Sequence, residues 1–199
     1  MTLHYKGKYS GDPDTLPTQV YREGSVKFKE PESSKKLGLI ANGLSVVLLI
    51  PLLIFYFWWG GFRAWSIPGM ILSLLVLFPH EILHASCFRE DVYLYTNWKQ
   101  GMLFVIGPEV MTKGRFVFMS LLPNIVFGFL PFLAFVINPD LHILGTLGLM
   151  SIPMGMGDYI NVFNALTQMP RGSLTYLYKF NSYWFMPGEA GSSEGGETA

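Results

Sequence analysis

Charge is what this chain has least of. Only 14% of its 199 residues are Asp, Glu, Lys or Arg, where an ordinary soluble domain carries about a quarter. The two signs cancel to a formal net charge of zero, which gives no basis for a nucleic-acid partner. Cysteine is nearly absent: the lone Cys87 excludes an internal disulfide and a cysteine-rich zinc site. The first apolar stretch, which begins near Leu37, is too deep in the chain and too long to be a cleaved signal peptide.

In place of charge there is oil. Half of the residues are hydrophobic and 16% are aromatic, with a mean hydropathy of +0.34. Four segments suit the ~20 residues needed to cross a bilayer: Leu37 to Trp59, Trp65 to Cys87, Phe116 to Ile137 and Leu141 to Met169. Basic residues gather before the first segment (Arg22, Lys27, Lys29, Lys35, Lys36), between the second and third (Arg89, Lys99, Lys113, Arg115) and after the fourth (Arg171, Lys179). The other two connections hold only Arg63. The positive-inside rule then places both termini and the middle loop in the cytoplasm, with Trp58, Trp59 and Trp65 at the outer interface.

The expected fold is a mainly α membrane protein of four transmembrane helices, with a β-hairpin inserted between the second and third. Residues 1–36 read as an irregular cytoplasmic segment with one short strand near Ser25 to Lys29, and 37–169 as the membrane-embedded domain. Residues 170–187 form a cytoplasmic or interfacial segment in which Leu174 to Met186 is either strand or interfacial. Residues 188–199 are a low-complexity Gly/Ser tail. The hairpin signal is Val92 to Trp98, a turn at Lys99-Gln100-Gly101, then Met102 to Ile106. Its edge is suited to hold an extended peptide by strand addition, or simply packs on the bundle.

Inside the second apolar segment stands Pro79-His80-Glu81-Ile82-Leu83-His84. Histidines four apart share one helix face with about 6 Å of rise between them, so both rings can reach one zinc ion, and Glu81 beside that face can take a proton from water. Burying two imidazoles and a carboxylate in an oily segment costs several kcal/mol unless they have a partner. The bland alternative pairs the histidines with carbonyls and Glu81 with a buried base, but the local sequence supplies no Lys or Arg within a turn of Glu81.

Catalytic zinc takes three protein ligands and keeps one position open. Depth favours Asp158 as the third. The second and fourth segments run in the same direction, and at 1.5 Å per residue His80 and Asp158 lie within a few Å of the same level. The Pro153-Met154-Gly155-Met156-Gly157 run before it loosens the helix and permits close approach, while a plain polar contact is the rival role. Cys87 returns to the histidine face but lies about 7 Å along the axis from a zinc held between His80 and His84, too far for its short side chain, and His142 stands at the opposite end of its segment. Glu109 stays open as an alternative. Asn124, beside Pro123, and Asn161, one turn past Asp158, are amides that either stabilise a transition-state oxyanion or bond helix to helix.

These residues carry a resemblance. Pro79 to Ala85, the β-rich loop after it, Leu122-Pro123-Asn124 and Gly157-Asp158 resemble the membrane family described as putative zincin peptidases and, more distantly, the site-2 proteases. The resemblance implies zinc on His80 and His84, Glu81 as catalytic base and Asp158 in the position of the family aspartate. Site-2 proteases set that aspartate before Gly and after an Asn-x-x-Pro; here Tyr159 follows it and no Asn-x-x-Pro precedes it.

The expected function is that of a zinc-dependent peptidase cutting membrane or membrane-adjacent peptides, with the lipid bilayer as its other partner and a bacterial cell membrane as its location. The alternatives are a non-proteolytic metal-binding membrane protein (transporter, sensor or inactive scaffold) and a partner-binding membrane protein without metal.

Overall fold

The computed structural model describes residues 1–31, 33–97 and 102–188. The chain is mainly helical, with strands in two sheets. Its helices are α1 (Ser34–Gly60), α2 (Ile67–Leu75), α3 (Leu77–Ser86), α4 (Lys113–Asn124), α5 (Leu130–Ile137), α6 (His142–Met154) and α7 (Met156–Gln168). Among the described residues two stretches are long and apolar enough to cross a membrane, Lys35–Gly60 and Lys113–Ile137. The second passes from α4 through a π turn at Ile125–Phe129 into α5.

A third stretch qualifies if α2 and α3, bent by 41°, count as one. The bend has a cause in the sequence. Pro79 offers no N–H to the Leu75 carbonyl, and its ring crowds that oxygen, so the helix breaks at Val76. The expected segment Leu141 to Met169 is likewise divided, into α6 and α7, at Gly155.

α6 is the hub of the bundle, packed by α1, α2 and α5. A Cβ on Gly148 would lie 2.5 Å from the Phe132 nitrogen, so α5 lies this close only against glycine. At the end away from the sheets, Tyr56, Phe135 and Leu149 are fully buried together. The Tyr56 hydroxyl there bonds the Ala64 carbonyl and Thr146 Oγ1, so its oxygen is not orphaned in the core.

One sheet has the order β1 (Leu3–Lys8), β3 (Val92–Asn97), β4 (Met102–Ile106). The other has the order β2 (Val26–Lys27), β7 (Asn181–Phe185), β6 (Leu174–Tyr178), β5 (Met111–Thr112). β3 and β4 pair antiparallel with Leu94 opposite Val105. The turn expected at Lys99 to Gly101 lies outside the described residues, as does the chain beyond Gly188.

The N-terminal segment is less irregular than its composition suggests. β1 pairs parallel with β3, Leu3 opposite Val92, and its edge position tolerates the outward Lys6 and Lys8 that make it read as polar. Leu174 to Met186 resolves into a two-stranded hairpin, β6 with β7. Both sheets sit where α1 and α4 begin and where α3 and α7 end.

Candidate metal centre

The Pro79 bend starts α3 afresh, and four residues of its helix bring His80 and His84 onto one face. Their Nε2 atoms are 3.1 Å apart. From α7, Asp158 meets both: its Oδ2 is 3.2 Å from His80 Nε2 and its Oδ1 3.3 Å from His84 Nε2. These side chains are between 11% and 18% exposed, enough to be shielded without being sealed. A carboxylate oxygen of Glu81 also lies within 4.8 Å of donor atoms on the two histidines.

Each group is held from behind. His84 Nδ1 lies 2.9 Å from the Met119 carbonyl, which can only accept, so Nδ1 carries the proton and Nε2 turns a lone pair to the centre. That carbonyl is free because Pro123, four residues on, has no N–H to give it. Asp158 Oδ2 accepts from Asn124 Nδ2 at 2.8 Å, and Glu81 Oε2 accepts from the backbone N–H of Val105, on β4, at 3.0 Å.

Asn124 is buried against Gly155, where a Cβ would fall 1.6 Å from its Oδ1. Only glycine at the α6–α7 break leaves room for this amide. The second proton of Nδ2 goes to the Ser120 carbonyl at 3.0 Å. With both protons engaged, Asn124 stands behind Asp158 here, and the transition-state role expected of it would need one of these two bonds to open. The Asn161 side chain lines the neighbouring cavity and bonds no other described residue.

The donor set suits a divalent cation. Zinc with arms of ~2.0–2.1 Å sets tetrahedral ligand atoms about 3.3 Å apart; the imidazole nitrogens are 3.1 Å apart and each lies 3.2 or 3.3 Å from a different oxygen of Asp158, separations of that size. Two carboxylates and two imidazoles share the spot, and among the described residues no Lys or Arg pairs with either acid. A cation is the partner that this arrangement asks for.

Glu109 is elsewhere. Its Oε2 accepts from the N–H groups of Arg89 (2.6 Å) and Glu90 (3.2 Å), and its Oε1 pairs with Arg115, whose guanidinium also donates to the Cys87 carbonyl. Burial pushes this carboxyl up, and Arg115 with the two N–H groups more than reverses that, leaving it below its ordinary value. The cluster ties the end of α3 to the start of α4. Cys87 Sγ points back to the Leu83 carbonyl at 3.5 Å, and His142 opens α6.

Sequence reasoning did not find the Val105 N–H, the Met119 carbonyl or the Gly155 gap. The one available signal was Pro123, which marks Met119 as a carbonyl without a helical donor.

Comparison with known proteins returns one family, whose model, described as putative zincin peptidase, matches residues 73–174, just over half of the chain and all of the centre above. No curated protein and no solved structure matches.

Proposed function

This chain belongs to the putative zincin peptidase family, and we propose that it is a membrane-embedded zinc peptidase in which His80, His84 and Asp158 hold the metal and Glu81 is the general base. The observation that carries this reading is the two imidazole nitrogens facing the two oxygens of Asp158, with Glu81 beside them and no competing Lys or Arg among the described residues. Of the two carboxylates, Asp158 is the ligand because both of its oxygens face the imidazoles, while Glu81 is held aside by Val105.

Zinc bound there would supply the Lewis acidity that makes water nucleophilic near neutral pH and polarises a peptide carbonyl. The chain's own groups do the rest. Glu81 accepts the proton of the attacking water and delivers it to the leaving amine, which needs a carboxylate that can swing between the two. The Val105 N–H holds it in readiness. Met119 fixes the tautomer of His84, and Asn124 fixes the carboxylate of Asp158.

The substrate is a membrane-spanning or membrane-adjacent peptide presented in extended form. A helical segment hides its carbonyls, whereas β4 lies at the edge of its sheet. The Val105 N–H points away from β3 and is taken by Glu81, and the ladder's alternation also turns Leu103 outward, giving an unwound strand a donor and an acceptor beside Glu81.

The bilayer is crossed four times, by α1, by α2 with α3, by α4 with α5, and by α6 with α7. Both sheets then lie on the cytoplasmic side with the basic residues.

Metal analysis and mapping of new protein termini in membranes test this together. Wild type and Glu81→Gln each retain about one zinc per chain, His84→Ala and Asp158→Ala lose it, and only wild type generates new termini in membrane proteins. Equal termini from Glu81→Gln would refute the general base. Zinc without any cleavage would point to a metal-binding protein that is not a peptidase.

A further inference from the structure

A cavity of about 220 Å³ adjoins the centre. Two of its walls are the residues that hold the reacting groups: Val105, bonded to Glu81 at 3.0 Å, and Met119, bonded to His84 at 2.9 Å. The cavity begins one residue away from both the proposed base and a proposed metal ligand. Its size is informative, since it is several times the ~30 Å³ share of a water molecule yet below the ~300–1,000 Å³ of a drug-sized site. One side chain is the scale that fits.

The lining says which kind. Phe88, Phe104, Phe116, Leu177 and Phe180 close the cavity from the end of α3, β4, α4 and the β6–β7 hairpin. Two carboxylates also border it, but both are engaged. Glu109 is bonded to Arg115 and two N–H groups, while Glu30 accepts from the Ser182 N–H at 2.6 Å and from Asn181 Nδ2 at 3.1 Å. Burial pushes the Glu30 carboxyl up, and those bonds and the charge of Lys27 only partly offset this. An extended peptide along β4 sends successive side chains to opposite faces, and those on one face are directed past Val105 into this space.

We infer that this cavity is the specificity pocket of the site, accepting one large apolar side chain, aromatic or branched aliphatic, from the residue next to the scissile bond. The inference rests on the peptidase reading above, and its test separates the two.

The probes are amino-acid hydroxamates that differ only in side chain: methyl, isobutyl, benzyl and 4-aminobutyl. Their affinities for the zinc-loaded, detergent-solubilised full chain are measured by calorimetry, with zinc content determined on the same samples. The chelating group is constant, so differences report the pocket. Isobutyl or benzyl is expected to bind about tenfold or more tighter than methyl, the range set by burying a Leu- or Phe-sized group, with 4-aminobutyl no tighter than methyl. Leu177→Trp, which fills the cavity from β6, should collapse that ratio to within about threefold while zinc content stays at the wild-type level; Leu177→Phe is the milder intrusion if the indole prevents folding.

Equal binding of all four hydroxamates, a preference for 4-aminobutyl, or an unchanged ratio in both variants would overturn the pocket and leave the metal site standing. Absence of zinc would overturn both, and zinc without binding by any hydroxamate would overturn the pocket.

Discussion

Asn124 shows how much a single side chain decides here. It touches no proposed reacting atom except through Asp158, yet its amide is the one donor to that carboxylate among the described residues that is not an imidazole. Replacing it by Ala leaves Asp158 oriented by the imidazoles alone. Loss of such a supporting partner typically weakens metal affinity 10–100-fold, so Asn124→Ala is expected to release zinc to a chelator at correspondingly lower chelator strength, with the helical content unchanged. Affinity within threefold of wild type would show that Asp158 needs no such support. Glu109 makes a second prediction at this scale. Its folded pKa lies below the unfolded value, so its stabilisation is complete above the unfolded value and is lost as pH falls through the folded one. Wild type should therefore lose thermal stability on acidification below about pH 4.5, the ordinary glutamate value. Glu109→Gln, which leaves Arg115 unpaired, should cost about 2 kcal/mol or more near pH 7 and show a flatter acid dependence. Thermal melts of both proteins from pH 3 to 7 check this.

At the scale of elements, the centre exists because three helices are interrupted at the right places. Pro79 restarts the helix that carries the histidines, Pro123 strips the Met119 carbonyl of its helical donor, and Gly155 ends α6 where Asn124 needs space. The last is the sharpest: Gly155→Ala places a methyl 1.6 Å from where Asn124 Oδ1 now lies, and neither backbone nor amide can share that volume. The variant should fold with its helices intact but lose the Asn124–Asp158 bond, lowering zinc affinity at least as much as Asn124→Ala; the double variant should be no worse than Gly155→Ala alone. Additive losses would mean that the glycine acts elsewhere. The elements were unevenly legible in the sequence. Helix spacing brings His80 to His84, and equal depth in two segments brings Asp158 to them, since both are regular geometry that counting residues reproduces. The strands at Val92–Asn97 and Met102–Ile106 declare themselves by β-branched and aromatic content. β1 does not, because Lys6, Gly7 and Lys8 dilute its pattern and its parallel partner lies far along the chain. The fit of Asn124 against Gly155 was not legible either, as it depends on how closely α4 and the α6–α7 break approach.

For the whole molecule, the position of the sheets bears on the number of passes. The chain leaves the sheet end along α1, comes back to it in β3 after α2 and α3, leaves again along α4, and returns in β6 after α7. These two returns to one end accord with the four passes proposed above, of which two helices, or three if the bent α2–α3 pair counts as one, are long and apolar enough to cross among the described residues. The lengths agree: Lys35–Gly60 and Lys113–Ile137 reach 26 and 25 residues, ~38 Å at 1.5 Å per residue, against a hydrocarbon layer of ~30 Å. If the basic residues set the orientation, the sheets, the β4 edge and the cavity all open to the cytoplasm. Single cysteines in a Cys87→Ser background test this with a membrane-impermeant maleimide on intact cells. Arg63→Cys, between α1 and α2, and Asp140→Cys, between α5 and α6, should label from outside. Ser10→Cys, exposed at the sheet end, should label only after the cells are permeabilised. The opposite pattern would turn the peptidase site to the outer face and redirect the search for substrates to exported segments. Labelling of all three from one side would mean that the segments do not traverse the bilayer, and the membrane-embedded reading of the metal centre would fall with them.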